Sequence, residues 1–137
     1  MKIAIVEDDA VMALLLEEVC RIGRHEVVGV ALKARSALSL IERHRPDCLL
    51  LDFSLDGEID GLELIERAVQ IHRRLFSVMI TAWDINDIAH RITAAQPDRL
   101  LRKPLRTETL IAILERQRQA LENPPPAAAQ ADPLAVR

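Results

Sequence analysis

Apolar runs in this chain stop on polar residues at four places. Residues 2–6 end on Glu7-Asp8-Asp9, the run that follows Pro46 ends on Asp52, residues 75–80 end on Thr81, and residues 98–102 end on Lys103. Two or three carboxylates brought together repel one another and raise a pKa unless a hard cation sits among them, and their oxygen ligands suit Mg²⁺. A hydroxyl and an ammonium beside such a cluster are donors able to hold the oxygens of a phosphoryl group. Metal, nucleophilic carboxylate, hydroxyl and cation together describe phosphoryl transfer onto Asp52. Each residue alone has a plainer use. The acids suit a helix N-terminus, Asp52 can start a loop or cap a helix, Thr81 favours strands, and Lys103 can be a cation approaching a helix. The chemical reading requires all four to converge.

Convergence depends on the elements that carry them. Lys2 to Val6 reads as a strand, and Val11, Leu14, Leu15, Val19 and Ile22 then recur at helical spacing up to Gly23. Residues 26–31 form a second strand, and residues 34–45 a helix burying Ala37, Leu38 and Ile41, closed by Pro46. The short run into Asp52 suits a strand covered on both faces. A helix over 61–73 and a strand over 75–80 come next. A fourth helix is capped by Asp84 and buries Ile85, Ile88, Ala89 and Ile92. Residues 98–102 are a fifth strand, and 107–121 a fifth helix with Leu110, Ile113, Leu114 and Leu121 on one face. Five strands alternating with five helices demand a doubly wound parallel α/β sheet, because neither layer otherwise buries its apolar side. Ligands of such sheets bind outside the carboxyl ends of the strands, where the four polar signals stand.

With 137 residues and 50% hydrophobic content, one ordinary domain with a full core is expected. The Pro- and Ala-rich residues 122–137 read as a flexible tail behind a domain spanning 1–121. A net charge of −3, with fifteen of the eighteen cations being Arg spread along the chain, argues against nucleic-acid binding. No run approaches membrane-spanning length, and Cys20 and Cys48 read as small core residues, so a cytoplasmic protein without a membrane partner is expected. His25, His44, His72 and His90 lack ligand spacing and read as surface residues.

Val6-Glu7-Asp8-Asp9, Leu50-Leu51-Asp52, Thr81-Ala82 and Lys103-Pro104 occur in an order and at strand ends that resemble the receiver domain of two-component response regulators. The resemblance covers residues 1 to about 121 and implies a flavodoxin-like (βα)5 sheet in the order 2-1-3-4-5. It implies that Asp52 accepts a phosphoryl group from a phosphohistidine of a sensor histidine kinase or a histidine phosphotransfer protein. It also implies that Glu7, Asp8, Asp52 and the backbone carbonyl of Ser54 hold Mg²⁺, that Lys103 pairs with the phosphoryl oxygens, that Thr81 moves toward them, and that the Lys103-Pro104 bond is cis. The chain departs from the family pattern at three points. The loop over 56–60 is one residue longer before Gly61, Leu100 stands where relatives keep an aromatic ring, and Trp83 stands two residues after Thr81.

The function so implied is that of a phosphorylation-switched interaction module rather than an enzyme. Its downstream protein partner is expected on the face of the fourth helix, fifth strand and fifth helix, with the chain a monomer or weak homodimer. A phosphate sink or phosphorelay intermediate would use the same site. A haloacid-dehalogenase-like phosphatase also uses a strand-end Asp with Mg²⁺, but that family wants a second Asp two residues on, where Ser54 stands.

Overall fold

A computed structural model describes residues 1–55, 59–88 and 96–124. Its elements are β1 (Lys2–Val6), α1 (Ala10–Ile22), β2 (Glu26–Ala31), α2 (Ala34–His44), β3 (Cys48–Leu51), α3 (Gly61–Ile71), β4 (Phe76–Thr81), α4 (Ile85–Ile88), β5 (Arg99–Arg102) and α5 (Thr107–Glu122). All pairings are parallel, and the strand order is β2-β1-β3-β4-β5, as expected.

Alternation along each strand builds two cores. Ile3 and Ile5 of β1, Leu50 of β3 and Ile80 of β4 pack against α1 and α5. Ala4 and Val6, Leu49 and Leu51, and Met79 pack on the other face against α2 and α3. All four residues of β3 are buried, which is why its sequence reads as an unbroken apolar run. Leu100, in the place of the family's ring, packs half-buried against the second of these cores. Cys20 and Cys48 are free, buried thiols. Burial pushes the Cys20 thiol up to about 12, which leaves it a packing group rather than a nucleophile.

Three expectations are corrected. Of the α1 stripe read from the sequence, only Val19 is buried; Val11, Leu14, Leu15 and Ile22 face outward, and Ala13, Leu16, Val19 and Cys20 face the sheet. Residues 10–16 are apolar all round the helix, so periodicity leaves the buried side open, and the small Ala13 and Cys20 let the backbone lie close to the strands. Leu121, in the last turn of α5, is exposed; Leu110 and Leu114 carry the buried side of the helix, with Ile113 half-buried. His25 is buried rather than on the surface, and its Nδ1 lies 3.3 Å from the Met1 ammonium. The turn after α1 folds the ring in beneath Gly23.

Asp84 caps α4 through Asn86 N–H at 2.8 Å, as expected, and Ile88 is buried. The Ile85 side chain, Ala89, Ile92 and His90 lie outside the described residues, as do positions 56–58 of the lengthened loop and the tail from 125 onward. Among the described residues, no helix is long and apolar enough to cross a membrane.

Candidate functional site at the carboxyl edge of the sheet

Parallel register decides which polar residues meet. Val6 pairs with Leu51, so Glu7 and Asp52, each one residue further on, emerge side by side. Their backbones are pinned, Glu7 N–H donating to Ala31 O at 3.0 Å and Asp52 N–H to Val6 O at 3.3 Å. Thr81 pairs with Arg102, which places Lys103 next to it, and Lys103 N–H donates to Thr81 O at 2.7 Å. The Lys103-Pro104 bond is cis. Asp9 caps α1 by accepting from Val11 and Met12 N–H, and its own N–H donates to Glu7 Oε2 at 3.3 Å.

α3 approaches Asp52 directly. A Cβ on Gly61 would stand 2.6 Å from Asp52 O and 3.0 Å from Phe53 Cα, so only glycine lets the helix begin there. Gly61 N–H donates to Phe53 O at 2.9 Å, and the Asp60 carboxylate accepts from Glu63 N–H to cap the helix.

The four sequence signals converge. Glu7 and Asp52 are buried, Asp8 is exposed at the rim, and one carboxylate oxygen from each lies within 4.8 Å of the others. Lys103 Nζ reaches Asp52 Oδ2 at 3.1 Å and Glu7 Oε1 at 3.4 Å. Thr81 is fully buried at the end of β4. Burial holds the Glu7 carboxyl above its ordinary range; the Asp9 N–H and the Lys103 charge oppose this, while Asp52 and Asp8 add to it. Burial works against the charged Lys103, but its hydrogen bond to Asp52 and the charges of Asp52 and Glu7 win, leaving its ammonium held above the ordinary value.

These residues fit Mg²⁺. Oxygens around an octahedral Mg²⁺ stand about 3 Å apart on neighbouring vertices and about 4 Å on opposite ones, so a set spread over 4.8 Å closes on the ion with small side-chain adjustments. A cation would also favour the ionised Glu7 carboxylate that burial, and to a lesser degree Asp52 and Asp8, disfavour.

One feature was not legible in the sequence. Trp83 joins two loops: its backbone N–H donates to Thr81 Oγ1 at 3.0 Å, and its indole Nε1 donates to Ser54 Oγ at 2.6 Å. Its ring meets Phe53 edge-on at 5.6 Å. Ser54 and Trp83 are 29 residues apart, and no local pattern links them. Ser54 N–H in turn donates to Asp52 Oδ1 at 3.3 Å, so the bridge ends one bond from the central carboxylate.

Known proteins resemble the chain in sequence and in fold. The transcriptional regulatory protein PdtaR of Mycobacterium tuberculosis is 30% identical over 116 residues, covering 83% of this chain and 55% of that protein. Sporulation initiation phosphotransferase F of Bacillus subtilis is 32% identical over 82 residues, 60% of this chain and 64% of that one. The REC domain of AraT, a response regulator from Geobacillus stearothermophilus, superimposes with a TM-score of 0.77 at 29% identity, covering 88% of this chain and 95% of that domain. The chain thus spans about half the length of PdtaR. The family model for the response regulator receiver domain matches residues 3–115, a span holding all four strand-end signals. With the order 2-1-3-4-5 and the acid–lysine edge both in place, the chain belongs to the response regulator receiver domains of two-component systems.

Proposed function

We propose that Asp52 is the phospho-acceptor of a phosphorylation-switched, cytoplasmic interaction module. The observation that supports this most is the buried Asp52 carboxylate, 3.1 Å from Lys103 Nζ and grouped with Glu7 and Asp8. In the transfer, an Asp52 carboxylate oxygen bonds to phosphorus as the bond to the donor's phosphohistidine nitrogen breaks, and the imidazole leaves with that electron pair. Glu7, Asp8, Asp52 and the Ser54 backbone carbonyl would hold Mg²⁺, which would offset charge on the transferring group. Lys103 keeps its place beside Asp52 and turns to the phosphoryl oxygens. The Thr81 hydroxyl accepts from Trp83 N–H and keeps its own hydrogen free to donate to them.

Val11 and Leu14, 77% and 65% exposed on the first turns of α1, stand beside this edge and give a phospho-donor an apolar surface to rest on. Output then runs through the face of α4, β5 and α5 to a protein partner, without nucleic-acid binding. Likeness to a protein named as a phosphotransferase favours a second reading, in which the chain is a relay intermediate or phosphate sink.

The test is incorporation of label from radioactive acetyl phosphate. Wild type should label only with Mg²⁺ and Asp52→Asn should not; equal labelling of the variant would overturn the proposal. Return of label to a phosphotransfer histidine separates relay from terminal signalling.

A further inference from the structure

The arginines, dispersed in the sequence, are partly gathered by the fold. Arg99 and Arg102 of β5, Arg106 at the N-cap of α5 and Arg116 on α5 are all exposed along two grooves that meet at Thr109. The larger, of about 310 Å³, is lined by Phe76 and Ile113 with Arg99 and Arg116. The smaller, of about 140 Å³, is lined by Leu101 and Leu105 with Arg102 and Arg106. Arg99 is set in place, its guanidinium 5.7 Å over the Phe76 ring and donating to Asp98 O at 2.8 Å.

Few acids oppose this face. Glu115 and Glu122 are engaged by Arg118. Asp98, just before β5, accepts from Ser77 N–H and hydroxyl but keeps its charge, and Glu108 stands in the first turn of α5, so these two carboxylates offset only part of the charge of Arg99, Arg102, Arg106 and Arg116. Among the described residues, Arg99, Arg106 and Arg116 have no acidic partner, and Arg102 has an exposed contact of 3.8 Å with Asp84. The chain as a whole carries −3.

We propose that the β5–α5 face binds an acidic protein segment, one or two apolar side chains entering the grooves and Asp or Glu residues meeting the arginines. Guanidinium forks match carboxylates, and half-buried Phe76, Ile113 and Leu105 supply the apolar floor. A nucleic acid would bring phosphates but no apolar anchor, and would approach a chain of net negative charge. The inference rests on the reading of the chain as an interaction module and names the chemistry of its partner. Asp84 lies in the loop after Thr81, so a shift of that loop on phosphorylation would free Arg102 for the same face.

The test is selection from a random displayed peptide library on the full chain with Mg²⁺ and beryllium fluoride, followed by anisotropy with the enriched peptide. Peptides rich in Asp and Glu around an apolar residue are expected. Arg99→Glu/Arg116→Glu should weaken them roughly tenfold or more, and Arg99→Gln/Arg116→Gln partly. Lys33→Glu/Arg35→Glu, with the same change in net charge on the far side of the sheet, should bind nearly as wild type. Acetyl phosphate labelling of all variants checks their fold. Peptides without acidic bias, equal loss in the Lys33/Arg35 control, or tighter Arg-dependent binding of oligothymidine would each overturn the proposal. Labelling of Asp52 without acidic selection would leave the phospho-acceptor reading standing and this one fallen. Arg-dependent acidic peptides on a chain that never labels would do the reverse.

Discussion

The rim formed by β1 and β3 and the rim formed after β4 face the same space but are held differently. On the first, Glu7 and Asp52 are buried, their backbones pinned to neighbouring strands, and Lys103 bridges both. On the second, buried Thr81 is followed by Trp83, 48% exposed, which is tied down by two hydrogen bonds and one ring edge. Buried charges with fixed partners suit a site that must be assembled before its substrate arrives. A side chain on a few exposed bonds is cheap to move, which suits the part that must report.

Lys103→Ala attacks the fixed rim and carries the largest effect. It removes a preorganised cation from the transferring group, so labelling should slow by about 10²-fold or more. It also leaves Glu7 and Asp52 unpaired, destabilising the Mg²⁺-free fold by roughly 2 kcal/mol, below the 3–5 of a fully buried pair because Lys103 is 25% exposed. Millimolar Mg²⁺ should recover part of that loss in thermal melts; no recovery would argue against the acids as its ligands.

Gly61→Ala tests the same rim from behind. The added methyl meets Asp52 O, so a loss of about 1–3 kcal/mol and slower labelling are expected, while an unchanged denaturation midpoint would show that α3 can retreat freely.

Trp83→Phe touches only the second rim. It keeps a ring against Phe53 and removes the donor to Ser54, costing about 1 kcal/mol or less but hastening loss of phosphate from Asp52 as water gains access. In wild type, Trp83 fluorescence should change on adding Mg²⁺ and beryllium fluoride, and Leu100→Ala should leave most of that change intact. A flat signal would place the switch elsewhere.

The smallest effect lies away from both rims. Burial, then the Met1 ammonium, push the His25 imidazole below its ordinary 6.5, Glu115 opposing and Arg118 adding. The neutral ring is therefore the one the fold prefers. Its contribution is present above pH 6.5 and is lost as pH falls through the folded value. His25→Gln should flatten that acid limb by roughly 0.5 kcal/mol in urea titrations at pH 5 and 7.5.

The two rims were unequally legible in the sequence. Glu7, Asp52, Thr81 and Lys103 could be read because each ends an apolar run, and in a parallel sheet the end of a run is a place in space. The Trp83–Ser54 bridge could not, since it joins two loops with no shared period. The same limit hid the outward face of α1. There the apolar residues run round the whole helix, and only packing against β1 and β2 selects Ala13 and Cys20 over Leu14 and Ile22. The gathering of Arg99, Arg102, Arg106 and Arg116 was hidden because it depends on where β5 lies against α5.

The most direct test of the central claim is chemical mapping of the acyl phosphate. Wild type is labelled with acetyl phosphate and Mg²⁺, reduced with borohydride, digested and sequenced by mass spectrometry. Reduction products at Asp52 alone are expected. A product at Glu7 or Asp8 with none at Asp52, or no product from a protein that binds Mg²⁺ and stays folded, would contradict it.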